Sequence, residues 1–238
     1  MTASPDGLVM AELTNVVKEF DLRHTRSIKE YIVWWATGRR GQLSDNFNAL
    51  DDVSFTITQG ESVALLGFNG SGKSTTLKLV SGVMLPDSGS VRVRGRIAGL
   101  IEVGAGMHPD LTGRENVYLN GAILGLSEQQ VDERFDSIVA FSGIEKFIDT
   151  EVKFYSSGMY MRLAFAVAVH TDPDLFLVDE VLAVGDEPFQ RKCIAKMKEL
   201  RAAGQTLMVV SHDLELIKDI CERGIVLEHG RVVHDAPI

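Results

Sequence analysis

The run Gly67-Phe68-Asn69-Gly70-Ser71-Gly72-Lys73-Ser74 follows the spacing G-x-x-x-x-G-K-[ST], and Thr75 comes next. Such a run holds phosphate. Its glycines let successive backbone N–H groups turn toward phosphate oxygens, and a helix starting at its end points a positive dipole at the same place. The phosphate-binding set is therefore Gly67, Asn69, Gly70, Ser71, Gly72, Lys73, Ser74 and Thr75. Lys73 reaches for the outer phosphates, and the Ser74 hydroxyl is a ligand for Mg²⁺. A second chemical cluster lies about a hundred residues on. Asp179 ends the apolar run Asp174–Asp179 (DLFLVD) and can orient Mg²⁺ through water. Glu180 follows it, where a carboxylate can polarise an attacking water; positioning and electrostatics supply most of the catalysis in phosphoryl transfer. No Asn-Lys-x-Asp guanine-reading run occurs, so ATP is the expected nucleotide.

These groups need elements to carry them. SVALLG reads as an apolar strand that breaks at Gly67, and STTLKLVSGV has helical spacing through Leu77 and Val80, so the phosphate loop falls between strand and helix. Pro86-Asp87-Ser88-Gly89 is a turn, followed by the alternating strand SVRVRG. Three helical stretches come next: GRENVYLNGAILGL, SEQQVDERFDSIVAFSG and GMYMRLAFAVAVH. Strands return at DLFLVDE and TLMVVSH, separated by the helix PFQRKCIAKMKELRAAG, and GIVLEHGRVVH forms a hairpin turning at His229-Gly230. Strands alternating with helices predict an α/β fold, a parallel sheet with helices on its faces, interrupted by a helical insert.

The bulk numbers narrow the classes. The chain has 238 residues, 45% hydrophobic and 24% charged, enough to bury one substantial core. Its net charge of −9, without any long Lys/Arg block, argues against a nucleic-acid partner. Cys193 and Cys221 belong to no motif and suit a reducing compartment. MTASPDGLVM lacks the basic start and apolar core of a signal peptide, and no apolar run approaches the roughly 20 residues of a membrane span. The expectation is a soluble chain whose membrane partner, if any, does the spanning.

Tyr155-Ser156-Ser157-Gly158-Met159 lies between the phosphate loop and the acidic strand end and opens a helix. In that order, the chain resembles the ATP-binding-cassette (ABC) transporter nucleotide-binding subunits from near Val9 to near Ala236. The resemblance implies a P-loop NTPase of the ABC ATPase type: a mixed β core, a helical subdomain and an N-terminal antiparallel β portion. It places the core at about 1–110 and 174–238, the helical subdomain at about 111–173, and an inserted amphipathic helix at about 27–38. It implies that Asp186 is the D-loop aspartate, His212 the switch histidine on the terminal phosphate, and Arg162 the arginine that follows the signature. Glu180, His212 and Lys73 would form the catalytic group. It further implies a head-to-tail dimer in which Tyr155, Ser156, Ser157, Gly158 and Met159 act on the partner's ATP. An aromatic stacks on adenine in this family; Phe20 in NVVKEF fits best and Phe47 is the alternative. Some positions depart from the common pattern: Tyr155, Ser157 and Met159 replace Leu, Gly and Gln. Glu102 stands where the coupling Gln is expected and would join Ser74 and Asp179 as a candidate Mg²⁺ ligand, unless the alignment moves by one residue onto Val103.

IEVGAGMHPDLTGREN, YSSGMYMRLAFAVA and VDEVLAVGD resemble in particular the ATPases that serve bacterial polysaccharide export (O-antigen, teichoic acid, cell-wall galactan). That resemblance implies separate transmembrane permease subunits, a lipid-linked polysaccharide handled indirectly, and a peripheral position at the cytoplasmic face of the plasma membrane. Some of those ATPases carry a C-terminal β-sandwich that reads a glycan cap, and the expectation here is export without it. In IKEYIVWWATGRR, Ile28, Tyr31, Ile32 and Trp35 fall on one helical face. Trp34 widens it, and Arg39 and Arg40 follow. Tryptophan beside arginine suits a membrane–water interface; packing on protein is the other reading.

Overall fold

A computed structural model describes residues 7–22, 45–99, 106–179, 185–211 and 213–238. Two sheets organise the chain. The first is antiparallel: β2 (Asp45–Thr58), β1 (Val9–Leu22) and β4 (Ser88–Val93), in that order. The second has six strands in the order β5 (Ile97–Gly99), β6 (Leu175–Val178), β7 (Thr206–Val209), β3 (Ser62–Leu66), β8 (Arg223–Glu228) and β9 (Arg231–Pro237). Its neighbours are parallel except at the end, where β8 and β9 pair as an antiparallel hairpin. The hairpin turns at His229 and Gly230, both with positive φ (47° and 78°), as a two-residue primed turn requires. The parallel sheet expected from the strand–helix alternation thus carries an antiparallel edge.

The continuous apolar runs of the central strands follow from burial on both faces. Leu175, Leu177, Val63, Leu65 and Met208 face a core shared with the antiparallel sheet (Leu13, Val53, Ile57) and with helix α1 (Lys73–Val80). Their neighbours Phe176, Val178, Ala64, Leu207 and Val209 face the opposite core, built with α5 (Glu187–Ala202) and α6 (Leu214–Ile220). Between β5 and β6 the chain makes a helical layer: α2 (Gly113–Ile123), α3 (Glu128–Ser142) and α4 (Ser157–Ala168), with 3-10 turns at Glu145–Phe147 and Val152–Phe154. This layer has its own apolar cluster, including Val117, Val131, Ile138, Leu163 and Val167. Among the described residues no helix is long and apolar enough to cross a membrane.

Among the described residues, five of the six α-helices begin under a side-chain cap. Thr112 and Ser127 form capping boxes with Glu115 and Gln130. Ser156, Asp186 and Asp213 cap α4, α5 and α6. Helix α1 differs: its N-cap is Gly72, with no side-chain hydrogen bond and no acidic residue in the first turn.

Candidate nucleotide site

The β3–α1 junction is shaped by contacts that leave no room for a side chain. Gly67 has φ +145°, and a Cβ there would sit 2.3 Å from the Leu227 carbonyl oxygen; one on Gly72 (φ +109°) would sit 2.6 Å from that of Ala49. The loop is therefore wedged between β8 and β2. The hairpin turn adds a brace, because Gly230 N–H donates to Ser71 O at 3.1 Å and Asp51 N–H to Gly230 O at 2.8 Å. Sequence reasoning found the hairpin but not its role as a strut under the phosphate loop.

Within this frame Lys73 is buried, and its ammonium donates to the carbonyls of Gly67 (2.8 Å) and Phe68 (3.0 Å). Its ammonium thus reaches back to the first two residues of the loop. Ser71 Oγ is buried with no hydrogen-bond partner among the described residues. An uncapped helix start, an enclosed ammonium and an orphaned hydroxyl suit an anion, because unsatisfied donors and positive charge coincide there. The chain fits a phosphate group at this point.

A cavity of about 430 Å³ opens over the loop, lined by Phe20, Phe47, Ala49, Asn69, Gly70, Gly72, Lys73, Ser74, Thr75 and Asp179. Of the eight phosphate-loop residues singled out in the sequence, six line it. Gly67 and Ser71 are not among its lining residues. Strand β6 brings Asp179 to the same cavity as Ser74, so a hydroxyl and a carboxylate suited to Mg²⁺ share one space. Phe20 and Phe47 are direct cross-strand partners on β1 and β2, and both line the cavity. Both candidates for the stacking aromatic thus stand at the same cavity. Phe20 is 37% exposed and Phe47 46%, so both rings remain accessible.

The Tyr155–Met159 segment lies elsewhere; none of its residues lines this cavity. Ser156 caps α4, its Oγ accepting the Met159 N–H at 3.2 Å, and Ser157 is exposed. Tyr155 is half-buried, donates to Phe147 O at 2.7 Å, and burial raises its phenol pKa. Asp186 caps α5 and accepts from Arg162 Nη2 at 2.5 Å, while the same guanidinium lies 5.2 Å over the Phe189 ring. The arginine after the signature segment thus ties α4 to the start of α5, a contact that the sequence did not announce. Both cysteines are buried, which pushes their thiols up to about 12 and leaves them inert as structural residues. Glu102, Glu180, His212 and the N-terminal positions Ile28, Tyr31, Ile32, Trp34, Trp35, Arg39 and Arg40 lie outside the described residues.

A phosphate loop between strand and helix, with an acidic strand end in the same cavity, defines a P-loop nucleoside-triphosphate-binding domain. The chain belongs to the ABC transporter family, whose sequence profile matches residues 50–183, more than half of its length. It is an ABC-type ATP-binding domain. It is 49% identical over 187 residues to the ABC transporter protein AbcA of Aeromonas salmonicida, covering 79% of this chain and 61% of that protein. It is 43% identical over 221 residues to the O-antigen export system ATP-binding protein RfbB of Klebsiella pneumoniae, covering 92% of this chain and 90% of that one. The chain thus spans less than two thirds of the first relative and nearly all of the second. Among solved structures, it matches a dimeric ATP-binding cassette in a post-hydrolysis state with ADP and Pi bound (TM-score 0.75, 25% identity, 96% of this chain and 98% of the other). The mixed core, the antiparallel N-terminal sheet and the helical subdomain are the ABC ATPase fold.

Proposed function

We propose that this chain is the ATP-hydrolysing subunit of an exporter that moves a lipid-linked polysaccharide across the cytoplasmic membrane. The observation that carries the reading is its likeness, over nearly the full length of both chains, to an O-antigen export ATP-binding protein. ATP would lie along the cavity, its adenine against Phe20 and Phe47 and its phosphates on the loop from Gly67 to Thr75. Lys73 would exchange its two carbonyl acceptors for phosphate oxygens. Ser74 and Asp179 would hold Mg²⁺, which neutralises developing phosphate charge, with Glu102 as an outer candidate. Glu180 would orient and deprotonate the attacking water, and His212 would contact the terminal phosphate.

Tyr155–Met159 does not line the cavity, so completion of the site by a second copy is the natural arrangement. In this head-to-tail dimer Ser156, Ser157 and Gly158 would face the partner's ATP, with Arg162 and Asp186 fixing the signature helix against the D-loop. A core at about 1–110 and 174–238 would then close on ATP while the helical subdomain at about 111–173 carries the signature. Binding would join the copies and hydrolysis would part them. Separate permease subunits would convert that cycle into transport, with residues 27–40 beside the glycolipid or the permease.

The experiment is steady-state ATP turnover by the purified chain and its Lys73→Ala variant, paired with surface-glycan staining of cells that depend on this chain. Turnover lost with Lys73→Ala together with loss of surface glycan supports the reading. Glycan display independent of Lys73 would overturn it.

A further inference from the structure

Among the described residues, β1 is held on both edges as far as Val17. On one side β2 accompanies it to Leu22; on the other, pairing with β4 ends at Val17 opposite Ser88. Among the described residues, the segment that carries Phe20 therefore continues with one strand neighbour. Its ladder with β2 slips between Val16 and Lys18 and again between Lys18 and Glu19. Such slips twist a ribbon and re-aim its side chains. A bulged two-stranded tip is by itself a poor support for a ring that must meet a planar ligand.

Asp87, the residue before β4, supplies the missing edge. Its N–H donates to Val17 O at 2.9 Å. Its Oδ2 accepts the Glu19 N–H at 2.7 Å, and its Oδ1 accepts from Lys18 Nζ at 3.1 Å. The Lys18 side chain is only 15% exposed, and its ammonium lies 5.7 Å from the centroid of the Phe20 ring, within cation–π range. One residue thus grips Val17, Lys18 and Glu19 in succession, immediately ahead of Phe20. Asp87 is not among the residues lining the cavity. Any effect it has on ligand must pass through the strand tip.

We propose that Asp87 is the positioning residue of the base-binding wall: through Val17, Lys18 and Glu19 it fixes Phe20, and with it the paired Phe47, at the adenine end of the nucleotide cavity. The inference rests on the reading of Phe20 and Phe47 as the base-stacking pair. It makes base affinity and phosphate affinity separable. The phosphate loop is braced by Gly230 and Ala49, not by Asp87, so loosening the tip costs the contacts to the base and leaves the contacts to the phosphates.

The test is calorimetric binding of Mg-ATP and of Mg-bound inorganic triphosphate to the full chain, to Asp87→Ala and to Asp87→Asn. Asn keeps an acceptor for the Glu19 N–H and drops the ion pair, at nearly the same size, so it carries the comparison should the Ala variant fail to fold. Stacking of a base on an aromatic ring is strong enough that Asp87→Ala should weaken ATP about fivefold and leave triphosphate unchanged. Asp87→Asn should fall between it and wild type. ATP affinity equal to wild type in both variants, or equal losses for ATP and triphosphate, would overturn the inference. A wild-type chain binding ATP no more tightly than triphosphate would sink the base-stacking reading itself and the inference with it. That result is distinct from a wild-type preference for ATP that persists without Asp87.

Discussion

Lys73 shows how a single side chain is prepared for its ligand. It is buried, yet its ammonium is satisfied by the two carbonyls of Gly67 and Phe68, an arrangement that phosphate oxygens can replace with stronger charge-assisted bonds. Lys73→Ala should abolish measurable ATP binding, read by fluorescence of a labelled nucleotide. Glu180→Gln should keep ATP binding and lower turnover by about a hundredfold or more, the usual worth of a positioned base, in a phosphate-release assay. Turnover at the wild-type rate would remove Glu180 from its assigned role. Gly67→Ala places a methyl group against the Leu227 carbonyl and should lower unfolding stability by about 2 kcal/mol or more in urea titration. The phosphate loop was legible in the sequence because its chemistry is contiguous: eight residues, one turn and one helix start. The choice between Phe20 and Phe47 was not, since it depends on the register of two strands separated by more than twenty residues. Arg162 and Asp186 posed the same difficulty; their contact joins helices far apart in the chain.

At the scale of elements, the helix starts follow local rules and the sheets follow distant ones. Thr112 with Glu115 and Ser127 with Gln130 can be read as capping boxes from spacing alone. The three-residue β5 and the seven-residue α6 escaped notice because neither is long enough to show a period, and partners or a cap define them. Residue spacing likewise gave no sign that β4 leaves the large sheet for β1. Behind the α2 cap, Asn116 is fully buried and bonds the loop ahead of it, accepting from His108 N and donating to the carbonyls of His108, Leu111 and Thr112. Asn116→Leu leaves these loop groups without partners and should cost about 2–3 kcal/mol, measured by thermal unfolding. Acid acts on the same region. Glu115 is held below the usual carboxylate range by accepting the Thr112 N–H and hydroxyl, and Asp149 by the Arg114 guanidinium. Lowered carboxylates stabilise fully above their ordinary range and lose that stabilisation as pH falls through the lowered values. The melting temperature should therefore drop more steeply below about pH 4 in the wild type than in a Glu115→Gln, Asp149→Asn double variant.

For the whole molecule, two sheets and a helical layer set the phosphate loop and the Tyr155–Met159 segment in different parts of one chain. The phosphate loop, Asp179 and the aromatic pair share a cavity, and the signature segment stands outside it. On the proposed reading, a second copy would supply the signature segment and complete the site. Glu180→Gln, which is expected to bind ATP without releasing it, should shift from monomer to dimer in light scattering when ATP is added. A monomer at saturating ATP would contradict the head-to-tail arrangement. On the proposed reading, Trp34 and Trp35 would lie beside the glycolipid or the permease; substituting both by Ala should then reduce glycan export while leaving ATP turnover of the isolated chain intact. The measurement that bears most directly on the central claim compares surface glycan in cells lacking this chain, complemented by wild type or by Glu180→Gln. ATP-driven export predicts full display with wild type, and with Glu180→Gln no display and lipid-linked glycan retained inside. Equal surface glycan from both would contradict it.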